Sequence, residues 1–159
     1  MTTVNNITRL LDSRKITYQV YETPAEKLSA LEVAQLLDVS PDVVFKTIVV
    51  TREKGKKPIL AVIPATGTVD LKLLAASISE KKVFLPSERE AEQITGLQAG
   101  GISPLALINK GFQVVIDSSA QNYSEIHISG GQRGLNIKLS VTDLIKLTNA
   151  RISSISRIF

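Results

Sequence analysis

The sequence predicts an α+β fold built around a mixed, strongly curved β-sheet. Short apolar and β-branched runs predict strands, and most of these are joined by turns short enough for hairpins. Segments with helical spacing lie between the runs and near both ends of the chain, which is typical of helices packed around one sheet. A length of 159 residues, with no repeat, linker or low-complexity segment, indicates one domain over residues 1–159.

Helices are predicted from apolar residues at helical spacing and from the polar residues that precede them. The first carries apolar residues at positions 4, 7, 10 and 11, and Thr2 or Thr3 is expected to cap it. Two others begin with a serine followed three residues later by a glutamate, which is a capping box. These two serines are Ser29 and Ser87, and Asp70 and Ser140 are the predicted N-caps of two further helices. The helix after Ser87 is expected to end at Gly96, and Ser40-Pro41 predicts one short turn.

Strands are predicted at residues 16–21, 45–51, 59–64, 82–85, 112–117, 126–128 and 135–139. Gly55 predicts an antiparallel hairpin between residues 45–51 and 59–64. The glycine-rich residues 130–134 predict a second hairpin, in which alternating isoleucines leave His127 on a polar face. The tail from Arg151 is basic and only weakly periodic, so no element is assigned to it.

The composition limits the possible function classes. Lysine and arginine exceed aspartate and glutamate by 19 − 15 = 4, which suits an anionic partner such as RNA and suits many soluble proteins equally. Aromatic residues make up 4% of the chain and tryptophan is absent, so extensive base stacking is not expected. Without cysteine there is no disulfide, thiolate nucleophile or cysteine-bound zinc, which fits a reducing cytoplasm. The polar residues 2–6 and the lack of a long apolar run predict neither a signal peptide nor a membrane contact.

Residues 95–104, called here the first glycine loop, carry three of the nine glycines and end in a proline. Gly100 and Gly101 lack Cβ atoms, so another group can approach the backbone closely. Pro104 fixes its own φ and holds Ser103 in an extended conformation. This pattern predicts either an ordinary turn or a stiff loop whose amides face a ligand.

Lys46 and residues 129–134 are the other candidates for a site. Lys46 lies at the mouth of an apolar strand, where it is either a solvated side chain or a cation aimed at a carbonyl or phosphate. Residues 130–134, called here the second glycine loop, are either a plain hairpin loop or bare backbone flanked by the Ser129 hydroxyl and the Arg133 cation. The single histidine, His127, is expected to be solvated or structural rather than catalytic. The standard serine-hydrolase and zinc-protease motifs do not occur.

Three segments in this order resemble the YbaK-type aminoacyl-tRNA deacylases, the family related to the editing domain of prolyl-tRNA synthetase. The segments are residues 45–47 (FKT), 95–105 (TGLQAGGISPL) and 129–135 (SGGQRGL). The resemblance is collinear over essentially the whole chain, and its best match within the family is the free-standing Cys-tRNA(Pro) deacylase group. It implies a barrel-like sheet wrapped by helices, and hydrolysis of the ester that joins a wrongly attached amino acid to tRNA(Pro).

The resemblance also implies roles for individual residues. Catalysis is expected to involve the Lys46 amine, the Gly101 N–H as a donor to the developing oxyanion, and the Ser129 hydroxyl. The expected substrate-binding residues are Tyr21, Thr47, Gly100, Ile102, Ser103, Gly130, Arg133 and Asn136. No metal or cofactor is implied. The expected partners are the 3′ end of aminoacyl-tRNA and prolyl-tRNA synthetase. Either the chain obtains its specificity for the tRNA from the synthetase, or it accepts Cys-tRNA broadly.

Two positions depart from the family pattern. Leu97 stands where close relatives carry a tyrosine, so a hydroxyl is lost from the first glycine loop. Asn136 stands where an acidic residue is frequent, so a carboxylate base is not available there. The mechanism proposed for the family needs no such base, because the thiol of the bound cysteine attacks its own ester. Effective molarities of about 10⁵–10⁸ M for well-oriented internal attack allow positioning to supply much of the rate.

Three alternatives remain open from the sequence. The chain could be an Ala-tRNA(Pro) or broader deacylase, which needs an activated water because alanine has no thiol. It could hold an aminoacyl or nucleotide end, or a partner protein, without chemistry. The glycines could also serve only in turns.

Overall fold

The computed structural model describes residues 5–53 and 55–159 and confirms the mixed α+β class. The helices are α1 (Asn6–Ser13), α2 (Ala30–Leu37), α3 (Leu71–Ser77), α4 (Glu88–Thr95) and α5 (Val141–Thr148). The strands are β1 (Tyr18–Glu22), β2 (Phe45–Val50), β3 (Ile59–Pro64), β4 (Gly67–Val69), β5 (Gln113–Asp117), β6 (Glu125–Ser129), β7 (Leu135–Ser140), β8 (Arg151–Ser153) and β9 (Ser156–Ile158). No helix in this described part is both long enough and apolar enough to cross a lipid bilayer.

The strands form three hydrogen-bonded groups. Strands β1, β7 and β6 form an antiparallel sheet in that order. A second sheet has the order β2-β3-β5-β8, in which β2 and β3 are antiparallel while β5 and β8 run parallel to their neighbours. A parallel bridge between Val44 and His127 connects the edges of these two sheets, and β4 pairs separately with β9. The predicted hairpins around residues 55 and 130–134 are confirmed.

Strand β3 is the centre of the core because both of its faces are covered. All six of its residues are buried, as expected of a continuous apolar strand between two layers. Leu60 and Val62 face a larger core shared with α1, α5, β6 and β7. Ile59, Ala61 and Ile63 face a smaller core shared with α3. This alternation fixes β2, which pairs with β3, between the same two layers.

The helix caps follow local sequence closely. Ser29 and Ser87 form the predicted capping boxes of α2 and α4, and Asp70 and Ser140 cap α3 and α5. The expectation of a threonine cap on α1 is wrong, because the Asn5 side chain accepts the Thr8 N–H and forms that capping box. Thr2 and Thr3 themselves lie outside the described residues.

Pairing between distant segments corrects the strand prediction at two places. Residues 82–85 do not form a strand: Phe84 makes a single bridge with Thr51, and Pro86 has no N–H with which to extend a ladder. Conversely, the tail holds β8 and β9, and residues 67–69 form β4. These short strands exist because partners far along the chain supply their hydrogen bonds, so local periodicity does not reveal them.

Asp117 anchors the tail to the centre of the sheet. Its carboxylate is buried and accepts the Ile155 N–H at 2.9 Å on one oxygen and the Ser119 N–H at 3.2 Å on the other. Ile155 is fully buried beside β5. The tail is therefore held at a fixed place just before β9 begins.

We expect Asp117→Asn to lower the free energy of unfolding by about 2 kcal/mol, the scale of a hydrogen bond to a charged group. Both carboxylate oxygens accept backbone N–H groups, so an amide must turn its own NH₂ towards a donor on one side. Urea denaturation measures the change. Asp38→Asn is the matched control, because Asp38 is exposed in a left-handed conformation that asparagine also tolerates. Equal stability of the two variants would contradict the anchoring role.

Candidate functional site

A cavity of about 410 Å³ opens beside strand β2. Its walls come from the start of α2, from β2, from the start of α4, and from both glycine loops. Several residues predicted for the site line it: Lys46, Thr47, Gly100, Ile102, Ser129 and Asn136. Tyr21, Gly101, Ser103, Gly130 and Arg133 are not among its lining residues.

Lys46 brings an uncompensated positive charge to this cavity. It lies on β2 opposite Ile63 and is half-buried. Burial lowers the pKa of the Lys46 amine below its ordinary value. Within the described residues no aspartate or glutamate forms an ion pair with it, and its Nζ lies 4.9 Å from the centre of the Phe159 ring. An amine in this environment gains from any anionic or strongly dipolar group that enters the cavity.

The two glycine loops lie in direct contact. Arg133 Nε donates to the Ala99 carbonyl oxygen at 2.8 Å, and its side chain passes beside Gly100. A Cβ atom at Gly101 would lie 2.9 Å from the Cα atom of Gln132, so glycine is required there by packing. The sequence-based expectation that the two loops and Lys46 belong to one site agrees with this placement, since Gly100, Ser129 and Lys46 share the cavity.

The expected role of Gly101 needs correction. Its N–H donates to the Gln98 carbonyl oxygen at 2.8 Å within the first glycine loop, so it is already used. Arg133 likewise joins the loops instead of facing the cavity. Both residues therefore hold the loops that form the wall, and neither is among the residues that line the cavity. A glycine-rich pattern identifies a bare loop but does not give the direction of its amides.

Ser103 and Gly130 also have structural positions, whereas Ser129 reaches the cavity. The fully buried Ser103 accepts the Leu105 N–H at 3.3 Å and caps the short 3₁₀ helix at residues 104–110. A Cβ atom at Gly130 would lie 2.6 Å from Leu135. Ser129 Oγ accepts the Gly131 N–H at 3.2 Å, which leaves the hydroxyl hydrogen for a ligand.

Tyr21, His127 and Asn136 form a small polar group behind the cavity wall. Tyr21 lies opposite Asn136 on the adjacent strand, and its ring centre is 5.2 Å from that of His127. Its hydroxyl donates to Gln19 at 2.9 Å, and Tyr21 does not line the cavity. Asn136 is the member of this group that does, and its Oδ1 lies 2.8 Å from His127 Nδ1.

His127 lies among polar side chains, as expected from the alternation, but it is buried rather than solvated. The residue is only 3% exposed, and burial is the main reason why its pKa falls below the ordinary histidine value, despite the opposing hydrogen bond that it donates to Asn136. Because an amide oxygen only accepts, Nδ1 must carry the proton in this contact. Alternation of isoleucine and histidine does not distinguish a solvent face from an interior one, and here residues 126–128 are all buried.

Glu26 and Phe159 are two of the lining residues that were not predicted from the sequence. Glu26 follows Pro24 in a loop without a recognisable motif, and it brings a carboxylate to the cavity. Phe159 reaches the cavity through β9, in a tail to which no element was assigned. Leu97, one of the two departures from the family pattern, packs against the larger core. Only the tertiary pairing of β9 with β4 could have revealed Phe159.

Comparison with known proteins identifies consistent relatives. Residues 24–147 match the model of the aminoacyl-tRNA editing domain family. A protein of Enterococcus faecalis named as a candidate Cys-tRNA(Pro)/Cys-tRNA(Cys) deacylase, EbsC, is 35% identical over 95% of this chain and 92% of its own. The prolyl-tRNA editing protein ProX of Acetoanaerobium sticklandii is 26% identical over 88% of this chain and 87% of its own. A solved structure described as that of a candidate trans-editing enzyme for prolyl-tRNA synthetase shares the fold, with a TM-score of 0.81 at 22% identity over 98% of this chain and 99% of that one.

We expect stability to decrease on acidification because of His127. Its folded pKa lies below the unfolded value of 6.5, so the unfolded state binds more protons between the two values. The free energy of unfolding should therefore be constant above that range, fall as the pH drops through about 6.5, and level off below the folded pKa. Urea denaturation between about pH 8 and 5 measures this, because carboxylates titrate at lower pH.

His127→Gln is the control for this pH dependence. His127 is the only histidine in the chain, so its replacement should remove the decrease near pH 6.5. A slope that persists unchanged in the variant would show that another group is responsible.

Proposed function

This chain belongs to the aminoacyl-tRNA editing domain family and acts as an aminoacyl-tRNA deacylase, and we propose that its substrate is cysteine wrongly attached to tRNA(Pro). The observation that carries this proposal is the cavity itself. It combines the uncompensated Lys46 amine with the free Ser129 hydroxyl and the bare backbone of Gly100. Such a cavity can bind an aminoacyl ester by its carbonyl oxygen and its nucleotide end.

We propose that the substrate supplies the nucleophile. The thiol sulfur of the bound cysteine attacks its own ester carbonyl, a carbon–sulfur bond forms, and the bond from that carbon to the ribose oxygen breaks. The thiol proton ends on the ribose oxygen, so the products are uncharged tRNA and a cyclic thioester that water opens to free cysteine. This route fits a cavity that lacks a cysteine and in which position 136 is an amide.

In this mechanism the chain positions the reacting atoms. Ser129 replaces Gly101 as the donor to the carbonyl oxygen, because its hydroxyl hydrogen is available and the Gly101 N–H is not. Lys46 holds the terminal phosphate or the sugar, and Thr47, Gly100 and Ile102 form the adjacent wall. Tyr21 and Arg133 act indirectly, the first by packing on His127 and the second by holding the two glycine loops together.

We further propose that specificity for the tRNA comes from prolyl-tRNA synthetase. A cavity of about 410 Å³ has room for the aminoacyl end and not for the tRNA body, so recognition of tRNA(Pro) must use other surfaces. Handover from the synthetase would supply that recognition. The reaction would take place in the cytoplasm, where aminoacyl-tRNA is made and used.

A second candidate is release of alanine by an activated water, and the position of Glu26 favours it. Glu26 brings a carboxylate to the cavity, and a carboxylate can act as a general base towards water. The first candidate does not need this residue. The two reactions therefore differ in their dependence on both the substrate thiol and Glu26.

We expect Lys46→Ala to lower kcat/KM for deacylation of Cys-tRNA(Pro) more than about tenfold, since a contact to a charged group contributes about 1.5–3 kcal/mol. Far-UV circular dichroism should remain native-like, because Lys46 is only half-buried. Lys82→Ala is the matched control: its amine also lies over an aromatic ring, that of Phe84, but neither Lys82 nor Phe84 lines the cavity. Undiminished activity of Lys46→Ala would make this lysine a solvated strand end, and tRNA binding without turnover by the unmodified protein would indicate a binding module.

A panel of Cys-, Ala- and Ser-tRNA(Pro) separates the two candidate reactions. We expect rapid release of cysteine, slow release of alanine and serine, and loss of the reaction when the cysteine thiol is alkylated. Glu26→Gln should leave the cysteine reaction unchanged. Rapid release of alanine that depends on Glu26 would instead establish the water mechanism and refute internal attack.

A further inference from the structure

We propose that Phe159 is a binding residue for the terminal adenine of the tRNA, with the base stacked on the exposed face of its ring. This inference rests on the proposed function, because every tRNA substrate ends in an adenosine next to the aminoacyl ester. It adds an adenine subsite to the cavity that holds Lys46 and Ser129. The argument uses the position, exposure and surroundings of the ring.

The main chain holds Phe159 at the cavity. Strand β9 pairs with β4 through residues 156–158, and the Phe159 N–H donates to the Thr66 carbonyl oxygen at 3.0 Å. Arg157 on β9 forms an ion pair with Asp70 at the start of α3. The buried Ile155 precedes the strand and is bound by Asp117. The ring is therefore presented from an anchored segment.

The ring is also open to a ligand. Phe159 is 69% exposed although it lines the cavity, whereas Phe45, the other aromatic residue in the described lining, is 2% exposed. The ring belongs to none of the described hydrophobic clusters, and its recorded ring contact is with the Lys46 amine. Aromatic side chains at such places provide stacking surfaces for nucleobases in proteins that bind single-stranded nucleic acid.

The neighbouring amine matches the rest of a nucleotide. Lys46 Nζ lies over one face of the ring, 4.9 Å from its centre, which leaves the opposite face for a base. A nucleotide presents a flat base next to a sugar and a phosphate, which is the same pair of chemical groups. With the base on Phe159, the phosphate or sugar would lie within reach of Lys46, and the ester would extend towards Ser129.

Deacylation kinetics provide the first test. We expect Phe159→Ala to raise KM for Cys-tRNA(Pro) about tenfold or more with little change in kcat, and Phe159→Tyr to retain the KM of the unmodified protein. Ile158→Ala is the control, because the adjacent Ile158 is 86% exposed but does not line the cavity. Unchanged KM in Phe159→Ala would overturn the proposal. Faster turnover in that variant would also overturn it, because the ring would then be a cover over Lys46.

Fluorescence tests the subsite without any chemistry. The chain has no tryptophan, so Phe159→Trp introduces a single tryptophan at the proposed contact, and it can be excited selectively over the three tyrosines. We expect AMP to quench this fluorescence saturably and ribose 5-phosphate, which has the phosphate but no base, to have no such effect. Quenching by both compounds alike, or by neither, would refute adenine stacking.

The two experiments separate this proposal from the proposed function. If the unmodified protein releases no amino acid from tRNA but AMP still quenches Phe159→Trp, the deacylase proposal fails and the adenine subsite stands. If Cys-tRNA(Pro) is deacylated equally well by Phe159→Ala, the adenine subsite fails and the deacylase proposal stands.

Discussion

An amine that forms no ion pair among the described residues is the constraint on which the cavity depends. Partial burial of Lys46 costs free energy because the ammonium loses water without a carboxylate in ion-pair contact to replace it. The contact with the Phe159 ring returns about 0.5–1 kcal/mol of that cost, which is typical of a cation beside an aromatic ring at an accessible site. Lys46 stays in this unfavourable position because its strand, β2, is paired with β3. Strand β3 is buried on both faces and holds β2 between two packed layers. In the proposed function, the polar part of a substrate supplies the missing interaction.

The parts of the fold that local signals determine could be predicted from the sequence. The capping boxes at Ser29 and Ser87 use residues only three positions apart, so reading them requires no knowledge of the tertiary structure. The same holds for the hairpin between β2 and β3. Strands β4, β8 and β9 have three residues each and depend on partners elsewhere in the chain, so their sequences carry no clear period. Phe159 could not be predicted at the site because the pairing of β9 with β4 could not be predicted.

The candidate site was predicted as a set of segments more accurately than as a set of functional groups. Lys46, Gly100 and Ser129 do share one cavity, because the strand and both loops converge there. Gly101, Ser103 and Gly130 instead satisfy packing and backbone hydrogen bonds. A sequence pattern shows that a loop needs glycine, but close packing and ligand contact require the same residue. The burial of His127 could not be predicted for a similar reason, because the hydrogen-bond partner of its ring is Asn136, which lies on a neighbouring strand.

The contact between Gly101 and Gln132 has a consequence for how this cavity can change during evolution or design. The backbones at these positions are so close that a side chain at position 101 needs a simultaneous rearrangement around position 132. Single substitutions that enlarge or reshape this wall should therefore be rare, and tolerated changes should occur as correlated pairs across the two loops. Altered amino acid selectivity would then be reached by exchanging both loops as one cassette rather than by altering either loop separately.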